Sequence, residues 1–214
     1  MSYLRKPQIF FVSFSAVLLL DCRISSNRLA VWRNVFNFAF MNQLRRVLVW
    51  LGRIHRCRGF GIQSPTDYCF VRYVINEHWP YYAYDSFNDS DWLTNKLGRL
   101  YFRLANWRQP RLMQPNTWES YVKAGCKHVR FDDIVDVVEM EMAFVSITDF
   151  SGFECLLHRC GQHSVLVVED LWRDRKRWHD IEHDSRVGTT YDLYYCGIVF
   201  FDKVQFKRNY MINF

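Results

Sequence analysis

Apolar residues recur at helical spacing three times in the first half of the chain and at strand spacing in the second half. Leu44, Val47, Leu48, Leu51 and Ile54 form one stripe, while Arg45, Arg46, Arg53 and Arg56 take other faces, which predicts a basic amphipathic helix. Its apolar stripe is expected to pack on the main domain and leave the basic side in solvent; attachment to an anionic membrane surface or to RNA is the competing reading. Ser64 and Pro65 then supply an N-cap and a first helical position for a second amphipathic helix. Leu93, Leu97, Leu100, Tyr101 and Leu104 mark a third. Beyond these the period shortens. MAFVSIT (142–148) and SVLVV (164–168) read as buried strands, the second ending in two adjacent acids, Glu169 and Asp170. A polar helix with aromatic residues begins at Trp172, and TYDLYYCGIVFF (190–201) reads as a strand pair. This alternation predicts an α/β protein with an open sheet, whose ligands bind beyond the carboxyl ends of the strands.

At 214 residues, half of them hydrophobic and 18% aromatic, the chain is long enough for one substantial core with an appendage. The charge is unevenly placed. Residues 1–60 hold ten Lys and Arg against Asp21 alone, a net of +9, whereas the remainder carries −3. An anionic partner would therefore meet the basic N-terminal arm, although no specific nucleic-acid motif accompanies it. The seven cysteines, Cys22, Cys57, Cys69, Cys126, Cys155, Cys160 and Cys196, are odd in number and contain no CxxC pair. They read as reduced thiols of a cytoplasmic protein. Cys155, His158, Cys160 and His163 suggest a zinc site, but on a helix over Gly152–Cys160 the Cys160 side chain would point away from His158, which favours a plain helix end.

Residues 1–40 admit several readings. IFFVSFSAVLLL (9–20) after a basic start resembles a signal peptide, yet Asp21-Cys22-Arg23 offers no small-residue cleavage pattern, and the run is short for a bilayer span. The favoured reading takes Met41 as the natural start and residues 1–40 as an upstream extension outside the fold. Disorder, a peripheral helix and an export signal compete with it.

Several separated stretches occur in an order that resembles a known family: RGFGIQSPTDYCFVRYVI, PYYAY, LGRLYFRLANWRQPR, SVLVVEDLWRDRKRWHDI and TYDLYYCGIVFFDKVQFKRNYMINF. They are similar to a family of bacterial class I S-adenosylmethionine-dependent methyltransferase-like proteins. In that family a Gly-Ile-His-Ser-Pro turn precedes a helical cap, and the chain closes on a hairpin and a terminal strand. Gln63 stands where the family usually has His. The resemblance implies a truncated, Rossmann-like sheet with an N-terminal helical cap over 41–108, an α/β domain over 109–214 and a C-terminal antiparallel hairpin.

It also implies that RLMQP (111–115) is the first strand, leading into a glycine-rich turn against the cofactor. The chain instead continues with Asn116-Thr117-Trp118-Glu119-Ser120 and has no glycine before Gly125, so Asn116 and Glu119 read as an N-cap and its capping-box partner. Only residues 116–141 separate this strand from the next confident one, too few for two βα units at roughly 30 residues each. The best fit makes His128–Phe131 a strand and Asp133–Glu139 a short helix, and deletes the strand whose terminal acid would hold the ribose, leaving Asp132 and Asp133 as substitutes.

Residues at strand ends are therefore the candidates: Gln114, Asn116, Asp132 and Asp149 for a cofactor, and Asp149, Glu169 and Asp170 as weak candidates for metal. In catechol-type O-methyltransferases the corresponding ends hold a Mg²⁺, which takes hard oxygen ligands. The competing reading is helix capping, by Asp149 for the helix after Ser151-Gly152 and by Asp170 for the helix from Trp172. Trp172, Trp178 and the Tyr191–Tyr195 cluster could stack on an acceptor, or simply fill the core. No GxSxG, P-loop or HExxH motif occurs. The expectation is a methyltransferase-like pseudoenzyme that binds no cofactor and serves as a structural or interaction module for an unknown protein partner. The alternative is an active O-methyltransferase using S-adenosylmethionine on a small hydroxyl substrate.

Overall fold

A computed structural model describes residues 43–87, 91–132, 140–202 and 207–214. The extension over 1–40 and the short helix expected over Asp133–Glu139 lie outside the described residues. The chain divides into two units, Met1–Leu48 and Val49–Phe214, and the second carries the fold.

Helix α1 covers residues 43–52, and Ile54–Arg56 add one 3₁₀ turn. Its apolar stripe differs from expectation: Leu44, Val47, Leu48, Leu51 and Ile54 are 41–59% exposed. Arg53, just past the end of the helix, is buried. Helix α2, Pro65–Phe70, starts at Ser64, whose hydroxyl accepts from the Asp67 N–H, and continues into a π turn over Val71–Ile75. Helix α3, Trp92–Arg108, is capped by the Asp91 side chain and ends at Gln109 in the left-handed region (φ 51°), just before Pro110. Leu97, Leu100, Tyr101 and Leu104 are all buried, as their spacing predicts.

Seven strands are seen among the described residues: β1 Leu112–Met113, β2 Arg130–Phe131, β3 Met140–Ser146, β4 Cys160–Glu169, β5 Thr189–Asp192, β6 Cys196–Phe200 and β7 Arg208–Met211. Helices α4 (Glu119–Gly125), α5 (Phe150–Arg159) and α6 (Arg175–His183) connect them. The sheet order is β2-β1-β3-β4-β6-β5-β7. β2, β1, β3 and β4 run parallel; β6 is antiparallel to both β4 and β5, and β7 returns parallel to β5. The expected hairpin is thus β5–β6, turning at Leu193–Tyr195 with Tyr194 at φ 74°.

Both faces of the sheet are covered, which is why SVLVV is a continuous apolar run rather than an alternating one. Val165 and Val167 join one core with Leu100, Leu104 and Val122 from α3 and α4. Leu166 and Val168 join the other with Leu156, Trp178 and Ile181 from α5 and α6. Gly98 permits the close approach of α3 and α4: a Cβ there would overlap the Tyr121 ring. Among the described residues no helix is long and apolar enough to cross a membrane.

A candidate ligand crevice at the reversal of strand order

Strand order runs outward in opposite directions from β1 and β3, so the carboxyl ends of these two strands flank the place where open α/β sheets bind ligands. Gln114 and Asn116 follow β1, Asp132 follows β2, Asp149 follows β3 shortly after its end, and Glu169 and Asp170 lie at the end of β4. β2 is hydrogen-bonded directly to β1, with Leu112 opposite Arg130 and Met113 opposite Phe131. The strand expected over His128–Phe131 is thus seen as the shorter β2, beside β1, and Asp132 is the exposed acid at its end, its N–H donating to the Met113 carbonyl at 3.2 Å.

The loop after β1 is held by Asn116. Its Nδ2 donates to the Gln114 carbonyl at 2.9 Å and its Oδ1 accepts from the Trp118 N–H at 2.8 Å. This is a side-chain turn and not the expected N-cap: α4 starts at Glu119, after a Trp118 that makes no side-chain capping bond, and Glu119 pairs with Lys123. Gln114 is exposed.

Trp118 turns inward. Its indole Nε1 donates to Glu169 Oε1 at 2.6 Å, joining the loop after β1 to the end of β4. The buried Tyr101 hydroxyl reaches the same oxygen at 3.5 Å, and its ring packs edge-on against Trp118 and Phe144, with centroids 4.8 and 4.9 Å away. Burial pushes the Glu169 carboxyl above its ordinary value; the Trp118 bond opposes that shift and the neighbouring Asp170 adds to it. Burial also raises the Tyr101 phenol well above its ordinary value. At this reversal point the Glu169 carboxyl group thus meets Trp118 and Tyr101, with Phe144 packed against Tyr101.

The other strand-end acids serve helices and turns. Asp149 caps α5 as expected, its Oδ1 accepting from the Gly152 N–H at 2.9 Å and from the Ser151 hydroxyl at 3.1 Å. Asp170 does not cap α6. That helix starts at Arg175 with Asp174 as its N-cap, accepting from the Arg177 N–H at 2.9 Å. Asp170 instead takes a left-handed conformation (φ 59°), its carbonyl accepts from the Arg173 N–H, and its carboxylate meets Arg173 Nε at 3.2 Å. Among the described residues no three His, Cys, Asp or Glu side chains converge as a metal site, neither the three acids nor the Cys155–His163 set. In the latter, Cys160 already belongs to β4, whereas Cys155 and His158 lie on α5. Of the aromatic candidates, Trp178 and Tyr191 are core residues.

The link from Trp118 to Glu169 and Tyr101 was not predicted from the sequence. No local signal marks such a contact, because Glu169 lies 51 residues from Trp118 and 68 from Tyr101 along the chain. No protein-family model, curated protein or solved structure matches this chain.

Proposed function

We propose that this protein has a methyltransferase-like fold whose cofactor crevice is closed by its own side chains, and that it works as a non-catalytic structural or interaction module. The strand run β2-β1-β3-β4, continued by the hairpin, supports the fold reading, since it follows the doubly wound order on both sides of the reversal point. The observation that carries the functional reading is the Trp118–Glu169 bond. S-adenosylmethionine needs backbone close to it after β1, whereas Gln114-Pro115-Asn116-Thr117-Trp118 has no glycine, lacks an N–H at Pro115, and sends its largest ring across to β4. The residues present do not fit the cofactor at that turn.

An interaction role has support elsewhere on the surface. Phe60, Tyr73, Trp79 and Tyr82 are 61–97% exposed, and aromatic residues are enriched where proteins dock. On α1, Arg45 and Arg46 beside exposed Leu44 and Val47 make that helix the region to meet an anionic surface.

One observation favours the alternative, an active O-methyltransferase on a small hydroxyl substrate: Asp132 is an exposed acid at the end of the strand beside β1, where a ribose would be held. Calorimetric titration with S-adenosylmethionine separates the two. The closed-crevice reading expects no binding tighter than about millimolar, roughly −4 kcal/mol. Micromolar affinity would overturn it and favour the alternative, which methyl transfer to a small hydroxyl compound would then test.

A further inference from the structure

A groove of about 700 Å³ lies along α3 and the segment that precedes it. Three of its lining residues are cations on one helical face, Lys96, Arg99 and Arg103, at i, i+3 and i+7. Among the described residues none of them pairs with a carboxylate. Arg103 is buried, and its guanidinium donates to the Val74 and Ile75 carbonyls and the Tyr84 hydroxyl at 2.6–2.9 Å. Those bonds satisfy donors without neutralising the charge. Lys96 Nζ stands 4.9 Å from the Trp92 ring centroid and 4.5 Å from that of Phe214; burial first, then the Arg103 charge, holds its ammonium below the ordinary value. Arg99 is exposed over the Tyr84 ring. Two acids line the groove as well: Glu77 accepts from the Tyr81 hydroxyl at 2.7 Å, and Asp85 is exposed.

Three cations crowded on one face and not ion-paired with either acid are costly, and a bound anion relieves both the desolvation and the mutual repulsion. The walls are aromatic: Trp79 and Trp92 are 71% and 46% exposed, so flat apolar surface lies beside the charges. The volume suits a small organic molecule. We propose that this groove binds a small organic oxyanion carrying an aromatic ring, with Lys96 and Arg99 receiving the oxyanion and Trp79 and Trp92 the ring. Arg103 contributes charge from beneath and keeps its structural bonds.

The proposal is independent of whether the crevice binds S-adenosylmethionine. It is tested on the full chain by calorimetry with 2-naphthoate, its neutral counterpart 2-naphthamide, and inorganic phosphate. Naphthoate is expected to bind at least about tenfold more tightly than either of the others, a difference of about 1.4 kcal/mol. Lys96→Gln and the exposed Arg99→Gln should each weaken naphthoate several-fold, while Trp118→Phe leaves it unchanged. Melting curves establish that each variant is folded, and Arg99→Gln carries the test if Lys96→Gln is not. Equal binding of naphthoate and naphthamide, equal binding of phosphate, no naphthoate binding at millimolar concentration, or full binding by folded Lys96→Gln and Arg99→Gln would each overturn the proposal.

Discussion

Replacing Asp192 with Ala should be the most damaging single change in the C-terminal hairpin. Asp192 is 2% exposed, and its carboxylate accepts from Arg53 Nη1 and Nη2 at 3.1 Å, from Arg175 Nη2 at 2.5 Å and from the Tyr194 N–H at 2.8 Å. Removing it leaves the Arg53 guanidinium buried with only the Asp192 and Ile212 carbonyls as acceptors. Losing one partner of a buried pair costs about 3–5 kcal/mol. For a unit of this size each kcal/mol moves the melting temperature by about 2–4 °C, so the midpoint should fall by about 6–20 °C. Arg175 has 41% of its side chain in solvent, and Arg175→Ala should cost about 1 kcal/mol or less. Urea denaturation of Asp192→Ala, Arg53→Ala and the double variant gives the coupling directly, and it should fall within about 0.5–3 kcal/mol. The pH dependence has a definite sign. Burial alone would raise the Asp192 carboxyl, but the Arg175 hydrogen bond and the charges of Arg53 and Arg175 hold it below its ordinary value. Below about pH 4 the unfolded chain takes up a proton that the folded chain declines, so wild-type stability falls with pH there. Asp192→Ala lacks that contribution, and the two stabilities should converge as the pH drops. A loss under about 1 kcal/mol at pH 7, or strict additivity of the two single changes, would refute the reading of Arg53 and Asp192 as a buried, coupled pair.

Gly98→Ala should destabilise by about 1–3 kcal/mol despite the better helix former, because its methyl group meets the Tyr121 ring; unchanged melting would show that α3 and α4 can separate freely. Trp118→Phe keeps the ring but removes the donor to Glu169, and should cost about 1–3 kcal/mol while raising the Glu169 carboxyl further, as read by NMR titration. Asp174→Ala should cost about 0.5–2 kcal/mol as loss of a helix cap, whereas Asp170→Asn, with only its exposed Arg173 partner, should stay near wild type. Neither effect should depend on millimolar Mg²⁺; a Mg²⁺-dependent rise in melting temperature that disappears in Asp149→Ala would reopen the metal reading.

Local patterning was enough to place most elements. The helical period of Leu97, Leu100, Tyr101 and Leu104 marked α3, the Ser64-Pro65 pair marked the start of α2, and the β-branched runs marked β3 and β4, because each signal depends on neighbours within a few residues. The absence of glycine between Gln114 and Gly125 was likewise legible, since it is a property of the sequence itself. Pairing and partnership were not. A strand over His128–Phe131 was legible, but that it shortens to Arg130–Phe131 and pairs with β1 depends on a partner 18 residues earlier, as Leu112 stands opposite Arg130. Whether Asp170 or Asp174 caps α6 turned on a left-handed residue at the end of β4, which shifts the helix start by one turn. The apolar stripe of α1 matched a buried helix and is exposed, whereas Arg53 after its end is buried because it pairs with Asp192, 139 residues later. Sequence alone placed most helices and strands approximately; tertiary structure decided their exact starts and which carboxyl groups meet tryptophan, arginine or solvent, since those contacts form only once distant segments are packed together.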